Sequence, residues 1–248
     1  MLNFIKKLKD NEDITIEFVG DSVTHGLNHC RLEETYVAKF ALLIAKKFEN
    51  YTVCRYDGVV ADALSPMKSF DGPILVSYKD KAGKIDIIKN GIGGNTVQRA
   101  LNRIGDFTGT LANGKSPDII FMMFGINDAL KSDSTKYVTA EQFEHNYKRL
   151  LDKVKKRNPD AFIIMMGATY NDQSVEEHCK KTKELAQKEN IPYIDLHELW
   201  LSHYDTKAEN FGQGDWLAND CDACHPTPKA AYIMAEKILD EFLKLLIA

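Results

Sequence analysis

Residues 118–124 read Asp-Ile-Ile-Phe-Met-Met-Phe, and the six residues after the aspartate are all apolar. A continuous apolar run of this length is typical of a central parallel strand that is covered on both faces. Other apolar-rich segments predict further strands at residues 14–19, 51–54, 85–88, 161–166 and 192–196. Helical periodicity is found between them at residues 35–48, 97–104, 137–157 and 174–189, and again after Thr227-Pro228 to about residue 246. Strands that alternate with helices predict an α/β fold with three layers, in which a doubly wound, mostly parallel sheet lies between helices.

One segment interrupts this alternation. About 30 residues separate the second predicted strand from the third, a length that is usually functional or a small insertion. It contains turn signals at Asp57-Gly58, Ser65-Pro66 and Asp71-Gly72-Pro73, and a strand pattern at residues 74–78. We therefore expect a single domain over residues 1–248 with an insertion at about residues 56–84.

Composition excludes several classes of protein. The chain has 32 Lys and Arg against 36 Asp and Glu, and this acidic balance argues against binding to nucleic acid. No stretch approaches the roughly 18 apolar residues of a membrane span. The first residues lack the apolar run of a signal peptide, so we expect a cytoplasmic protein. An odd number of cysteines, five, does not fit a disulfide scaffold.

Polar residues follow three of the predicted strands. The sequences are Gly20-Asp21-Ser22 after the first, Gly91 to Thr96 after the third, and Gly125-Ile126-Asn127-Asp128 after the central strand. The carboxyl ends of parallel strands meet at one edge of the sheet, which is where such folds bind ligands. Each segment is also compatible with a plain turn or a helix cap.

A fourth polar segment, Asp222-Ala223-Cys224-His225-Pro226, precedes the last predicted helix. Residues three apart on a helical or turn-like segment lie on the same side, so the Asp222 carboxylate could hold the His225 ring as in a nucleophilic triad. Asp220 is a second candidate for that carboxylate.

The same segment permits other readings. Cys221 to His225 match the attachment pattern of c-type haem. Cys221, Cys224 and His225 could also bind zinc with help from His25, His29 or Cys30. A surface loop with a capping acid is the simplest alternative.

Taken together and in this order, the four segments resemble the SGNH hydrolase family, the GDSL-type esterases and lipases. The resemblance implies a flavodoxin-like fold with a central five-stranded sheet. It also implies that Ser22 is the nucleophile, His225 the general base and Asp222 the residue that orients it. The oxyanion would be bound by the backbone N–H groups of Ser22 and Gly94 and by the Asn127 side chain. Val23 stands where many relatives have leucine.

The neighbouring polar residues Asp21, Asn95 and Asp128 are expected to bind substrate. No metal or cofactor is expected, because a serine hydroxyl needs only an adjacent base to become a nucleophile and an imidazole can supply it. The sequence thus predicts a serine hydrolase that cleaves carboxylic esters through an acyl-enzyme.

The substrate expected is a short-chain acyl ester, either a small molecule or an O-acetylated carbohydrate. A lysophospholipase or thioesterase of the same family is the alternative. A metal- or haem-binding protein and a binding module without activity are the other classes left open. Homo-oligomer formation also stays open.

Overall fold

The computed structural model describes residues 2–26, 31–60, 67–80, 82–104, 114–170, 172–203, 217–219 and 222–247. The helices are α1 (Leu2–Lys9), α2 (Ser22–His25), α3 (Tyr36–Lys47), α4 (Val97–Asn102), α5 (Ile126–Ala129), α6 (Ala140–Arg157), α7 (Gln173–Lys188), α8 (Leu196–His203) and α9 (Pro228–Ile247). The strands are β1 (Ile14–Gly20), β2 (Thr52–Val60), β3 (Met67–Ser77), β4 (Lys84–Gly91), β5 (Ile119–Met123), β6 (Phe162–Met166), β7 (Tyr193–Ile194), β8 (Leu217–Asn219) and β9 (Asp222–Pro226).

The main sheet has seven strands in the order β3-β2-β4-β1-β5-β6-β7, so the predicted count of five is wrong. The five strands β4-β1-β5-β6-β7 by themselves have the flavodoxin-like order 2-1-3-4-5. The two additional strands, β2 and β3, extend this sheet beyond β4. All neighbouring strands are parallel except β2 and β3, which pair antiparallel.

The additional strands explain why the insertion looked irregular in sequence. β2 continues through Asp57-Gly58 and β3 through Asp71-Gly72-Pro73, so neither segment is the expected turn. The register shifts between Arg55 and Asp57, and Gly72 has a φ of 150°. Bulges and glycines of this kind bend a strand without ending it. The remaining turn signal, Ser65-Pro66, lies outside the described residues.

Helices cover both faces of the sheet, which confirms the three-layer prediction. On one face the rings of Phe18 and Phe121 stack at 4.5 Å. Phe40 from α3 packs edge-on against Phe18 at 5.0 Å, and Phe242 from α9 against Phe121 at 5.9 Å. The opposite face is buried under α4, α6 and the C-terminal half of α7. Among the described helices, none is both long and apolar enough to cross a membrane.

Candidate active site

Ser22 lies at the first position of α2, directly beyond the carboxyl end of β1. Asp21 caps this helix, because its carboxylate accepts a hydrogen bond from the Val23 N–H at 3.0 Å. Gly26 ends the helix with a φ of 79° and donates its N–H to the Ser22 carbonyl at 2.8 Å. The helix is therefore a single turn, and it presents a partly exposed Ser22 at its N-terminal end.

A close contact between α2 and β4 fixes where that turn lies. Gly20 and Gly91 are register partners on β1 and β4. A Cβ atom on Gly91 would lie 2.2 Å from the His25 nitrogen and 2.6 Å from the Thr24 carbonyl carbon. Only glycine lets two backbones approach so closely. The first glycine of the Gly91 to Thr96 segment is thus required for packing of α2.

His225 approaches Ser22 from outside the main sheet. It lies on β9, which pairs antiparallel with β8 in a separate two-stranded ribbon. The His225 Nε2 atom lies 2.7 Å from the Ser22 Oγ atom, although 203 positions separate the two residues in sequence. The structure therefore brings the expected nucleophile and base within hydrogen-bond distance.

The carboxylate expected to orient His225 is not among the described side chains. Residues 222–226 form a strand, so the prediction of a helical or turn-like segment there is wrong. The side chain of Asp222 and the whole of Asp220 lie outside the part of the chain that is described. The choice between these two carboxylates stays a prediction.

The two other expected oxyanion donors lie at the ends of the strands that flank β1. Gly94 follows β4, is partly exposed and has a φ of 67°. Asn127 lies on α5, just beyond β5, with 6% of its surface exposed. Its Nδ2 atom donates to the Asn95 carbonyl at 3.1 Å. A primary amide has two N–H groups, so this bond orients the amide and uses only one of them.

Asp21, Asn95 and Asp128 are all buried. The Asn95 amide donates to the Gly20 carbonyl at 3.4 Å, and both Asp128 oxygens accept from the Val97 N–H at 3.1 and 3.3 Å. These contacts join the three loops to one another. Direct contact of these three residues with substrate stays a prediction.

Burial also alters the titration of the two carboxyl groups. Loss of hydration raises the pKa of Asp21 to about 7. Burial, and in smaller part the charge of Asp21, raises the pKa of Asp128 to about 8. Each carboxyl is therefore partly or largely protonated at neutral pH, and two negative charges do not accumulate beneath the site.

The alternative metal site stays untested, because most of its candidate ligands lie outside the described part of the chain. His225 Nε2 already contacts Ser22, and no three His, Cys, Asp or Glu side chains of the described residues are grouped to hold an ion. Burial, and next the charge of Lys89, lowers the pKa of His25 to about 4, so its ring is neutral at pH 7. The Cys224 side chain and residues 29, 30 and 221 lie outside the described part.

Sequence reasoning missed a buried charged cluster beside α2, formed by Arg55, Asp57 and Lys89. The Arg55 guanidinium donates to both oxygens of Asp57 at 2.9 Å. The Lys89 Nζ atom lies 3.7 Å from an Asp57 oxygen and donates to the His25 carbonyl at 3.0 Å. A lysine directly after Ile87-Ile88, where a predicted buried strand ends, was the signal that could have revealed it.

Comparison with sequence families gives a match to the GDSL-like Lipase/Acylhydrolase family over residues 73–232, more than half of the chain. The matched segment contains Gly94, Asn127 and His225 and begins after Ser22. Among curated protein sequences, none matches the chain significantly.

Several solved structures share the fold. An acetyl xylan esterase, AlAXEase, is 19% identical with a TM-score of 0.64, over 92% of this chain and 98% of that one. A variant of the acetyl xylan esterase Axe2 from Geobacillus stearothermophilus is 19% identical with a TM-score of 0.64, over 93% of this chain and 96% of that one. A two-domain esterase active on acetylated mannans, CEX, is 18% identical with a TM-score of 0.66, over 100% of this chain and 53% of that one.

The family match and the shared fold agree with the order of the sequence motifs. They confirm the resemblance that the four segments indicated and the expectation of a carboxylic ester hydrolase. The chain belongs to the GDSL-like lipase/acylhydrolase family.

Proposed function

We propose that this enzyme removes short acyl groups, acetyl above all, from hydroxyl groups of carbohydrates, with Ser22 as the nucleophile. The observation that carries the proposal is the 2.7 Å contact between the Ser22 Oγ and His225 Nε2 atoms at the carboxyl end of β1. That distance lies within the range over which a base accepts a proton from a nucleophile.

In the first half of the reaction, Ser22 Oγ attacks the carbonyl carbon of the ester. The hydroxyl proton passes to His225 Nε2 as the new bond forms. The tetrahedral intermediate then expels the sugar oxygen, which receives that proton from His225. The acyl group stays on Ser22 as an ester, and the deacylated sugar leaves.

The intermediate carries a negative charge on the former carbonyl oxygen. Three groups would bind that oxygen in this proposal: the N–H groups of Ser22 and Gly94, and the second N–H of the Asn127 amide. Their loops are fixed before substrate binds, because Asn95 contacts both Gly20 and Asn127. Donors held in this way stabilise the developing charge without reorganisation.

In the second half, water replaces the sugar. His225 takes a proton from the water molecule as its oxygen attacks the acyl carbon, and returns the proton to Ser22 Oγ as the ester bond breaks. A carboxylic acid leaves, and the enzyme returns to its starting state. Asp222 or Asp220 would hold the His225 ring during both proton transfers.

The substrate class rests on the similar structures. Their names describe esterases of acetylated xylan and mannan, and this chain shares their fold. We further propose that residues 1–248 form one hydrolase domain, in which the predicted insertion at about residues 56–84 belongs to an added hairpin.

The proposal is tested by measuring hydrolysis of p-nitrophenyl esters from acetate to palmitate, together with acetate release from acetylated xylo- and manno-oligosaccharides. We expect the highest kcat/KM for acetate among the p-nitrophenyl esters, and acetate release from at least one oligosaccharide. The Ser22→Ala variant should lose at least about 10⁴-fold in kcat/KM.

Full activity of folded Ser22→Ala would contradict the mechanism. A maximum at long acyl chains would instead favour the lysophospholipase or thioesterase alternative. Activity on p-nitrophenyl acetate without acetate release from any oligosaccharide would leave the esterase mechanism intact and reject the carbohydrate substrate.

A further inference from the structure

The single helical turn α2, which carries Ser22, is not stable by itself. A helix of four residues has no stability in isolation, because the cost of forming the first turn is recovered only over many more residues. The location of Ser22 Oγ relative to His225 Nε2 therefore depends on the contacts that α2 makes with neighbouring elements. At the N-terminal end those contacts are the Asp21 cap and the connection to β1.

At the C-terminal end, α2 packs against the backbone of β4 at Gly91 and also accepts a hydrogen bond from Lys89. Its Nζ atom donates to the carbonyl oxygen of His25, the last residue of α2, at 3.0 Å. The Lys89 side chain is 0% exposed. A cation at the C-terminal carbonyls of a helix is favourable, since that end carries partial negative charge. Lys89 and Gly91 also point to the same face of β4, because side chains alternate along a strand.

The rest of the charged cluster fixes Lys89 in turn. Asp57 and Lys89 are register partners on neighbouring parallel strands, and their charged atoms lie 3.7 Å apart. Arg55 holds both oxygens of Asp57, so that the carboxylate cannot rotate away from Lys89. Burial of a charge is unfavourable unless it is paired and hydrogen-bonded, and this cluster meets both conditions for Asp57.

We propose that Lys89, held by Asp57 and Arg55, is a positioning residue for the nucleophile: it anchors the C-terminal end of α2 and so keeps Ser22 in line with His225. This inference rests on the proposed role of Ser22. It also gives the β2–β3 hairpin a function, because β2 carries the two residues that hold Lys89 and is not part of the five-stranded core of the fold.

The test compares Lys89→Met with Lys84→Met. Methionine fills a similar volume but cannot donate to the His25 carbonyl, and Asp57 keeps Arg55 as its partner. Lys84 is the control: it is a half-buried lysine on the same strand that forms an ion pair with Asp86 at 2.9 Å, but it lies at the opposite end of β4 from α2. Measured for both variants are kcat and KM on p-nitrophenyl acetate, the rate of labelling by a fluorophosphonate, and the urea midpoint of unfolding.

We expect Lys89→Met to lose about 10²-fold in kcat and in labelling rate, as for a misplaced reacting group. Its KM should change by no more than about threefold, because the loss concerns the reacting geometry and not binding. Lys84→Met should keep the wild-type kcat and labelling rate. If a substitution changed only the stability, the urea midpoint would move, but the folded enzyme would keep the wild-type kcat and labelling rate.

A folded Lys89→Met that keeps its kcat within about twofold overturns the inference, as does an equal loss of kcat in Lys84→Met. Should Lys89→Met not fold, Asp57→Asn decides: it removes the negative charge that lies 3.7 Å from Lys89, and a kcat loss of about tenfold supports the inference, whereas an unchanged kcat overturns it. Ser22→Ala is measured on the same substrate. Full activity there overturns the proposed function together with this inference, whereas an inactive Ser22→Ala beside a fully active Lys89→Met overturns the inference alone.

Discussion

Ser22 and His225 meet at 2.7 Å, yet they are carried by two different kinds of structure. Ser22 lies on α2 at the edge of the main sheet. There α2 packs against β4, and buried hydrogen bonds join the flanking loops. His225 lies on the β8–β9 ribbon, which forms a separate two-stranded sheet. From this difference we expect substitutions on the sheet side to alter both the free energy of unfolding and the esterase activity. Substitutions on the ribbon side should alter the activity alone.

Replacement of His225 by alanine is the most severe test of this expectation. We expect kcat/KM to fall by about 10⁴-fold or more, since the nucleophile loses its base. The melting temperature should stay near the wild-type value, because His225 is partly exposed and belongs to a peripheral ribbon. Esterase assays and thermal unfolding on the same preparation check both statements, and a strongly lowered melting temperature would show that the ribbon is part of the stabilising core.

Asn127→Ala should produce the next largest effect on activity. The variant loses a donor to the oxyanion, and removal of one such donor typically costs about 10²–10³ in kcat. KM should change much less, because the charge develops only in the transition state. Steady-state kinetics with p-nitrophenyl acetate gives both constants, and a kcat equal to that of the wild type would remove Asn127 from the oxyanion site.

Gly91→Ala sharpens the sheet side of the comparison. The added methyl group would meet the backbone of α2 at 2.2 Å, so we expect a loss of about 3 kcal/mol in the free energy of unfolding. Gly114→Ala is the control: no atom of the described residues lies within 4 Å of its Cβ position, and its φ of 74° costs only about 1 kcal/mol. Urea unfolding of both variants measures the difference, and equal losses would show that the contact between α2 and β4 yields without strain.

The smallest effect concerns the pH dependence of stability. Burial raises the folded-state pKa of Asp128 to about 8 and of Asp21 to about 7. Above about pH 4 the unfolded carboxyl groups ionise while the folded ones keep their protons. The contribution of these two groups to the free energy of unfolding therefore falls as pH rises from about 4 towards these folded values.

Asp128→Asn removes one of the two groups and keeps an oxygen that can accept from the Val97 N–H. Between about pH 4 and 8, the slope of its free energy of unfolding against pH should be less negative, or more positive, than that of the wild type. Urea unfolding at several pH values measures both slopes. Identical slopes would mean that Asp128 ionises in the folded protein as easily as in the unfolded chain.

Much of the fold could be predicted from the sequence, because the residues buried in the sheet and beneath its helices are apolar and recur with the period of a strand or a helix. The predicted strands at residues 14–19 and 85–88 correspond to the inner strands β1 and β4. Strand pairing was harder: Asp57-Gly58 looks like a turn in sequence, and only its partners on β3 and β4 show that β2 continues through it.

The candidate site shows the same limit. Ser22, Asn127 and His225 were identified from motif order, and the structure brings Ser22 and His225 together. Lys89 was missed, because a lysine next to a loop is usually solvated. Its buried position here depends on pairing with Asp57, which lies 32 positions earlier in the chain. Contacts that join distant segments are set by packing, which no local pattern records.

The central claim is that His225 makes Ser22 a nucleophile. Mass spectrometry of fluorophosphonate-treated protein tests it most directly, with wild type, Ser22→Ala and His225→Ala labelled side by side. We predict one adduct per wild-type chain on the peptide that contains Ser22, none on Ser22→Ala, and labelling of His225→Ala slower by about 10³-fold or more. A wild type that remains unlabelled, an adduct on another residue, or His225→Ala labelled at the wild-type rate would contradict the account.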